Sequence, residues 1–258
     1  MKITVHTIRE LKGERPIVAL TAYDTIMATL ASNANIDLIL VGDSVGTTYL
    51  GFDTTLPVTL DMMLHHTACV ARAKPRSLLV ADVPFPEVHL GTERLLRVCS
   101  RLFQEGGAEA VKVEGGQSVA PKVRALVDAG MPVLGHIGLL PQQFYALGGY
   151  RKVGAKEEER EILLRDAKAL QDAGAFAIVG EMIAGEIAGE IADTVDIPMI
   201  GIGCGIKCDG QILVTPDLLG MTLGKVPGFV KKFAHLQEVI SSAFVEYAEE
   251  VRSKRYPE

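Results

Sequence analysis

The chain has 258 residues, 48% of them hydrophobic, with 26 Lys and Arg against 32 Asp and Glu and a net charge of −6. It carries no basic block able to neutralise a phosphate backbone or an anionic bilayer, which argues against nucleic acid and membrane surfaces as partners. No apolar run approaches a membrane span, the N-terminus (MKITVHTIRELKGERP) breaks every apolar stretch with charge or polarity, and the four cysteines sit irregularly at 69, 99, 204 and 208. A soluble, cytoplasmic protein with reduced thiols is expected. The length suits one (β/α)8 barrel domain over residues 1–258, since that fold typically takes about 250 residues.

In chain order, short apolar runs bounded by glycine, proline or charge predict buried parallel strands at 17–24 (IVALTAYD), 38–44 (LILVGDS), 78–82 (LLVAD), 110–115 (AVKVEG), 133–138 (VLGHIG), 175–181 (AFAIVGE), 199–205 (MIGIGCG) and 212–214. Helical periodicity predicts helices over 25–34, 59–73, 91–105, 119–129, 156–173 and 184–195. Eight alternating units predict closure into a TIM barrel rather than an open sheet. The connections 45–57 and 139–154 are long enough to act as lids. An extra C-terminal helix, from about Pro227 through Arg252, places Phe229, Phe233, Leu236, Ile240, Phe244 and Tyr247 at helical spacing, a stripe suited to packing on the barrel or on a neighbouring subunit.

Five of the strands carry polar residues at or near their C-terminal ends. In a barrel these ends open on one face, so Asp43, Ser44, Asp82, Lys112, Glu114, His136 and Glu181 should converge on one mouth. A lone Asp at a strand end is more often a helix cap. Two converging carboxylates, Asp43 and Asp82, with Glu114 as a third ligand or a holder of ligated water, suit Mg²⁺ better. Lys112 and Glu114, two residues apart on a strand, should both point inward, with Val111 and Val113 facing the helices. The lysine is then either one half of a buried salt bridge or the counter-ion of a substrate carboxylate, and the two roles are compatible. Apolar neighbours of Glu181 favour the protonated form of a carboxylate, a property of proton-abstracting bases at neutral pH. His136 reads equally as a donor to substrate or a satisfied core histidine, and His65 and His66 as structural. The glycines of 201–205 (GIGCG) lack the Rossmann spacing, which excludes a dinucleotide loop and suggests close backbone approach to a ligand.

These motifs resemble the ketopantoate hydroxymethyltransferase family. The resemblance runs through TAYD (21–24), VGDSVG (41–46), TTLPVT (54–59), ADVPF (81–85), VKVEGG (111–116), GHIGL (135–139), PQ (141–142), GGY (148–150), IGIG (200–203) and DGQILV (209–214). It implies a barrel of the phosphoenolpyruvate/pyruvate superfamily type, metal binding by Asp43 and Asp82 with Glu114 as a further acidic site residue, substrate contacts at Ser44 and Lys112, and Glu181 as catalytic base. The implied reaction belongs to pantothenate biosynthesis. α-Ketoisovalerate, bound to Mg²⁺, loses a proton to Glu181, and the enolate attacks the one-carbon unit of the co-substrate methylenetetrahydrofolate. A homodecamer of two stacked pentamers is also implied. The chain departs from the family pattern at residues 151–155, at Cys204 and at Leu140. The competing reading is another Mg²⁺-dependent enolate-forming lyase of the same barrel superfamily, which would need a second cationic anchor for a distal carboxylate. A catalytically silent binding barrel would tolerate loss of the mouth residues, all of which are present.

Overall fold

The computed structural model describes residues 1–257. Parallel strands β1 (Ile17–Thr21), β2 (Leu38–Val41), β3 (Leu78–Asp82), β4 (Ala110–Glu114), β5 (Val133–Gly138), β6 (Ala177–Glu181), β7 (Met199–Ile202) and β8 (Gly210–Leu213) close in sequence order into a barrel. The helices are α1 (Val5–Glu10), α2 (Thr25–Asn33), α3 (Val45–Thr48), α4 (Leu60–Arg72), α5 (Thr92–Gln104), α6 (Ala120–Asp128), α7 (Phe144–Leu147), α8 (Glu157–Asp172), α9 (Gly185–Thr194), α10 (Thr215–Leu219) and α11 (Leu236–Arg252). The (β/α)8 architecture expected from the alternating pattern is the one the chain forms.

Strand side chains alternate between two apolar environments. Leu38, Leu40, Leu78, Val80, Leu134 and Val179 pack together as the barrel interior, whereas Ile39, Val41, Leu79, Val111, Val113 and Ile178 belong to the layer shared with the helices. Each fully buried Leu or Ile contributes about 1.5–3 kcal/mol, so a register slip of one residue, which would exchange the two sets, is strongly disfavoured.

Helix α1 has no counterpart in the sequence pattern because its apolar contribution is narrow. Thr4 and Thr7 cap it reciprocally, and Ile8, fully buried, joins the interior cluster with Ile3, Val5 and Leu11 against it. Lys12 Nζ, just beyond the helix, reaches Asp209 Oδ2 at 2.7 Å.

The sequence reads as one domain. The chain divides into two compact units, Met1–Ile212 and a second from Leu213 onward. In the second unit, α11 begins at Leu236, nine residues after the expected Pro227. The intervening backbone is committed elsewhere: α10 ends at Gly220 with φ +66°, Phe233 N donates to Leu218 O (2.8 Å) and Gln237 N to Gly220 O (3.2 Å). Phe229 and Phe233 therefore lie ahead of the helix rather than on its stripe. No residue of α11 is buried.

Candidate active site

The inward parity that builds the apolar interior continues to the strand ends, where the residue types change. Val80 gives way to Asp82, Ala110 to Lys112 and Glu114, Leu134 to His136, and Val179 to Glu181. Strand register sets Asp82 beside Lys112 and Glu114 beside His136, so a polar layer caps the core. Lys112 and Glu114 both face inward, as their spacing requires.

Lys112 Nζ lies 2.8 Å from Asp82 Oδ1, 3.8 Å from Glu114 Oε1 and 3.3 Å from His136 Nδ1. His136 Nδ1 is 3.6 Å from Glu114 Oε1, and its Nε2 is 3.3 Å from Glu181 Oε2. On the other flank, Asp43 N donates to Asp82 Oδ2 (3.2 Å). Asp43, Asp82, Lys112, Glu114 and His136 are all buried, and Glu181 retains 19% of its side-chain exposure. The chain of contacts thus joins six of the seven candidates. The seventh, Ser44, turns its hydroxyl to Tyr23 OH at 2.9 Å, and burial pushes that phenol up to about 12 despite the hydrogen bond.

Charge in the cluster is unbalanced. Burial, then the negative charges of Asp82 and Glu114, push Asp43 well above the usual carboxylate range. Burial also raises Asp82 against the pull of Lys112. Glu114 moves the other way: burial opposes its ionisation, but the neighbouring His136 and Lys112 outweigh it. Lys112 is raised because the charges of Asp82, Glu114 and Asp43 overcome its burial.

The setting of Glu181 differs from the apolar one its flanking residues suggest, because what faces it is His136 from the next strand. Its backbone is fixed on both sides: Leu139 N donates to Glu181 O and Met182 N to Ile202 O, each at 2.8 Å. Met182 sits at φ +52°, a conformation uncommon for a side-chain-bearing residue and one that clusters at functional sites. Gly138, at φ +98°, has no room for a Cβ, which would overlap the Glu181 carbonyl oxygen.

Gln142 is the participant that the candidate list omits. Buried on the loop after β5, it donates through Nε2 to Asp43 Oδ2 (2.9 Å) and Val83 O (2.9 Å) and through its backbone N–H to Glu114 Oε2 (3.1 Å). Its only trace in the sequence is the PQ dipeptide at 141–142. Tyr150, farther along the same loop, is pushed up to about 12 by burial and by the charges of Glu181, Asp43 and Glu114. The loop then rejoins the mouth where Val153 pairs with Ile183. Arg151, one of the departures from the family pattern, is held by Glu159 at 2.8 Å.

Two other residues are placed by their neighbours. Gly201 makes room for thiols, since a Cβ there would meet Cys208 Sγ at 2.8 Å and Cys204 Cβ at 3.3 Å. His66 Nδ1 pairs with Tyr23 O at 2.8 Å, a structural role.

The donor set fits Mg²⁺. Among the described residues no three His, Cys or carboxylate groups form a protein-only metal cage, but Mg²⁺ usually takes one or two carboxylates and completes its octahedron with water and substrate oxygens. Asp43 and Asp82 supply that number in surroundings where negative charge is in excess. Asp82 Oδ1, Glu114 Oε1 and His136 Nε2, all buried, make no well-aligned hydrogen bond to any described residue. Glu114, turned toward Lys112, His136 and Gln142, adds its negative charge to that pair of carboxylates.

A closed parallel barrel with charged and titratable side chains gathered at the C-terminal ends of β3, β4, β5 and β6 defines the chain as a (β/α)8-barrel enzyme. The fold is shared with 2,3-dimethylmalate lyase, itself described as a phosphoenolpyruvate mutase/isocitrate lyase superfamily member, which superposes with a TM-score of 0.60 at 17% identity over 98% of this chain and 89% of its own. Residues 2–258 match the family model for ketopantoate hydroxymethyltransferase. The 3-methyl-2-oxobutanoate hydroxymethyltransferases of Staphylothermus marinus and Thermoanaerobacter sp. (strain X514) are 49% and 46% identical over 257 and 258 residues, 100% of this chain and 94% of each relative. The chain belongs to the ketopantoate hydroxymethyltransferase family and is a transferase of that kind.

Proposed function

We propose that the site transfers a hydroxymethyl group from methylenetetrahydrofolate to 3-methyl-2-oxobutanoate (α-ketoisovalerate), giving ketopantoate for pantothenate biosynthesis. The observation that carries this reading is the position of Glu181: a carboxylate that keeps some access to the mouth, held against His136 on the face that gathers Asp43, Asp82 and Lys112, in a chain matched by the family over nearly its whole length.

Glu181 takes the proton from the carbon next to the ketone, and His136 Nε2–H, when present, steadies the ionised carboxylate between turnovers. Lys112 and Ser44 hold the substrate carboxylate, and Asp43 and Asp82 are the residues that would hold Mg²⁺. Bound there, Mg²⁺ would supply the Lewis acidity that acidifies the C–H next to the ketone. Gln142 donates to both Asp43 and Glu114. The deprotonated carbon bonds to the folate's methylene carbon as that carbon's bond to one folate nitrogen breaks, and water cleaves its bond to the second nitrogen, so that tetrahydrofolate leaves with both nitrogens protonated and the hydroxymethyl group stays on the product.

The test is a product assay. The purified chain with α-ketoisovalerate, methylenetetrahydrofolate and Mg²⁺ should release ketopantoate and tetrahydrofolate in equal amounts. Absence of both, with turnover of a 2-oxo or hydroxy diacid in the absence of folate, would replace the transferase reading by the lyase one.

A further inference from the structure

The side-chain amide of Gln142 has two hydrogens and both are committed, one to Asp43 Oδ2 and one to Val83 O, each at 2.9 Å. Its backbone N–H is committed as well, to Glu114 Oε2. One residue on the loop after β5 therefore fastens the segments following β2 and β3 and the end of β4. These partners lie 99, 59 and 28 residues away in sequence. Burying an amide is costly unless its hydrogen bonds are satisfied, and a loop could satisfy them at its surface without the cost. Here the amide is spent on Asp43, the one carboxylate of the cluster that no described lysine, arginine or histidine pairs with directly.

We infer that Gln142 is the positioning residue of the metal site: by donating to Asp43 Oδ2 it fixes the carboxylate plane and leaves Oδ1 as the oxygen presented to a cation, while its backbone N–H holds Glu114 beside Lys112. The inference rests on the reading of Asp43 and Asp82 as Mg²⁺ ligands. Residues that orient metal ligands act in this way: hydrogen-bonded partners of a ligating carboxylate fix its geometry, and their loss typically lowers metal affinity about 10- to 100-fold. Gln142 touches no reacting atom in this scheme and acts only through Asp43 and Glu114.

The experiment is a Mn²⁺ titration of the full-length, metal-stripped protein, read from the electron paramagnetic resonance signal of free Mn²⁺, with thermal melts in parallel. Gln142→Met fills the same space but lacks the amide, and Gln142→Ala lacks both. The inference expects Mn²⁺ affinity to fall about 10- to 100-fold in both variants, with Gln142→Met melting close to wild type, and ketopantoate formation by Gln142→Met to recover as Mg²⁺ is raised. A Gln142→Met variant that binds Mn²⁺ as tightly as wild type overturns the positioning role and leaves the metal site standing. If affinity falls only in Gln142→Ala, in step with its melting temperature, the residue is packing alone and the inference is likewise overturned. Wild-type protein that binds no Mn²⁺, with or without α-ketoisovalerate, removes the metal reading and this inference with it.

Discussion

His136 Nε2 stands 3.3 Å from Glu181 Oε2, so the imidazole of β5 and the carboxylate ending β6 form an ion pair whenever the ring is protonated. Burial and the Lys112 charge oppose that protonation, but the Glu114 and Glu181 carboxylates outweigh them and the ring titrates at about 9 in place of 6.5. A folded-state pKa above the unfolded value means that the folded chain holds the proton more tightly. The resulting stabilisation is complete below about pH 6.5 and is lost as pH rises through about 9. Metal-free wild type should therefore lose melting temperature between pH 7 and 9.5 more steeply than His136→Gln, and NMR of the ring should place its midpoint near the upper end of that range. Equal slopes for the two proteins would mean that the histidine is neutral throughout.

Glu181→Gln isolates proton removal from everything after it. With Mg²⁺ in deuterated water, wild type should exchange the methine hydrogen of α-ketoisovalerate without any folate, observed by proton NMR. The amide cannot accept a proton, so exchange should drop by about 10²- to 10⁴-fold, while α-ketoisovalerate and Mg²⁺ still bind. Exchange at the wild-type rate would move the base elsewhere, with His136 next in line.

The two metal-binding candidates should separate when stability is measured alongside affinity. Asp43→Asn removes a charge whose burial among like charges is unfavourable, so its melting temperature should hold or rise while Mg²⁺ affinity, titrated calorimetrically in the presence of α-ketoisovalerate, falls. Asp82→Asn also loses affinity, but it deprives buried Lys112 of its 2.8 Å partner. It should cost up to the roughly 3–5 kcal/mol seen when a buried pair loses one member, less whatever Glu114 restores. Unchanged affinity in both variants would dispose of the metal assignment.

For assembly, we propose a homodecamer. Phe244, Val245 and Tyr247 on α11 are more than half exposed, a density of apolar surface on one helix that suits burial against another copy. Light scattering at micromolar concentration should give a mass many times the 27.7 kDa of one chain, and Phe244→Asp should lower it. A monomeric wild type would overturn the proposal.

Parallel strands covered on both faces are apolar almost throughout, which is why all eight are visible as runs in the sequence, and why Asp82, Lys112, Glu114, His136 and Glu181 stand out at their ends. Period-two parity was enough to orient Lys112 and Glu114. The strands stop earlier than their motifs do: β1 ends at Thr21, and Asp24 instead caps α2 by accepting from Met27 N at 2.8 Å. What escaped the sequence depends on contacts far along the chain. Helix α1 is stabilised by one wholly buried residue, Ile8, inside a barrel made by residues that follow it. The start of α11 is set by bonds back to Leu218 and Gly220. Gln142 is uncharged and lies in a loop, so neither periodicity nor charge marks it. Of the neighbours of Glu181 along the chain, Gly180 has no side chain and Met182 lies past the end of β6 at φ +52°, so an apolar flank in sequence says little about what the carboxylate faces in space.

The segment from Leu139 to Gly154 is fastened at both ends. Near its start Gln142 is bonded into the carboxylate cluster, and near its finish Val153 N donates to Met182 O and Ala184 N to Val153 O, each at 2.9 Å. It is therefore a strap rather than a flap with a single hinge. Its middle, where Tyr145 and Tyr150 project and Phe144 packs edge-on against both rings, lies between those fastenings. Traffic through the mouth can then proceed by displacing that middle while both fastenings stay closed. On the proposed reading, Glu181, Asp43 and Asp82 need not be taken apart and rebuilt at each turnover.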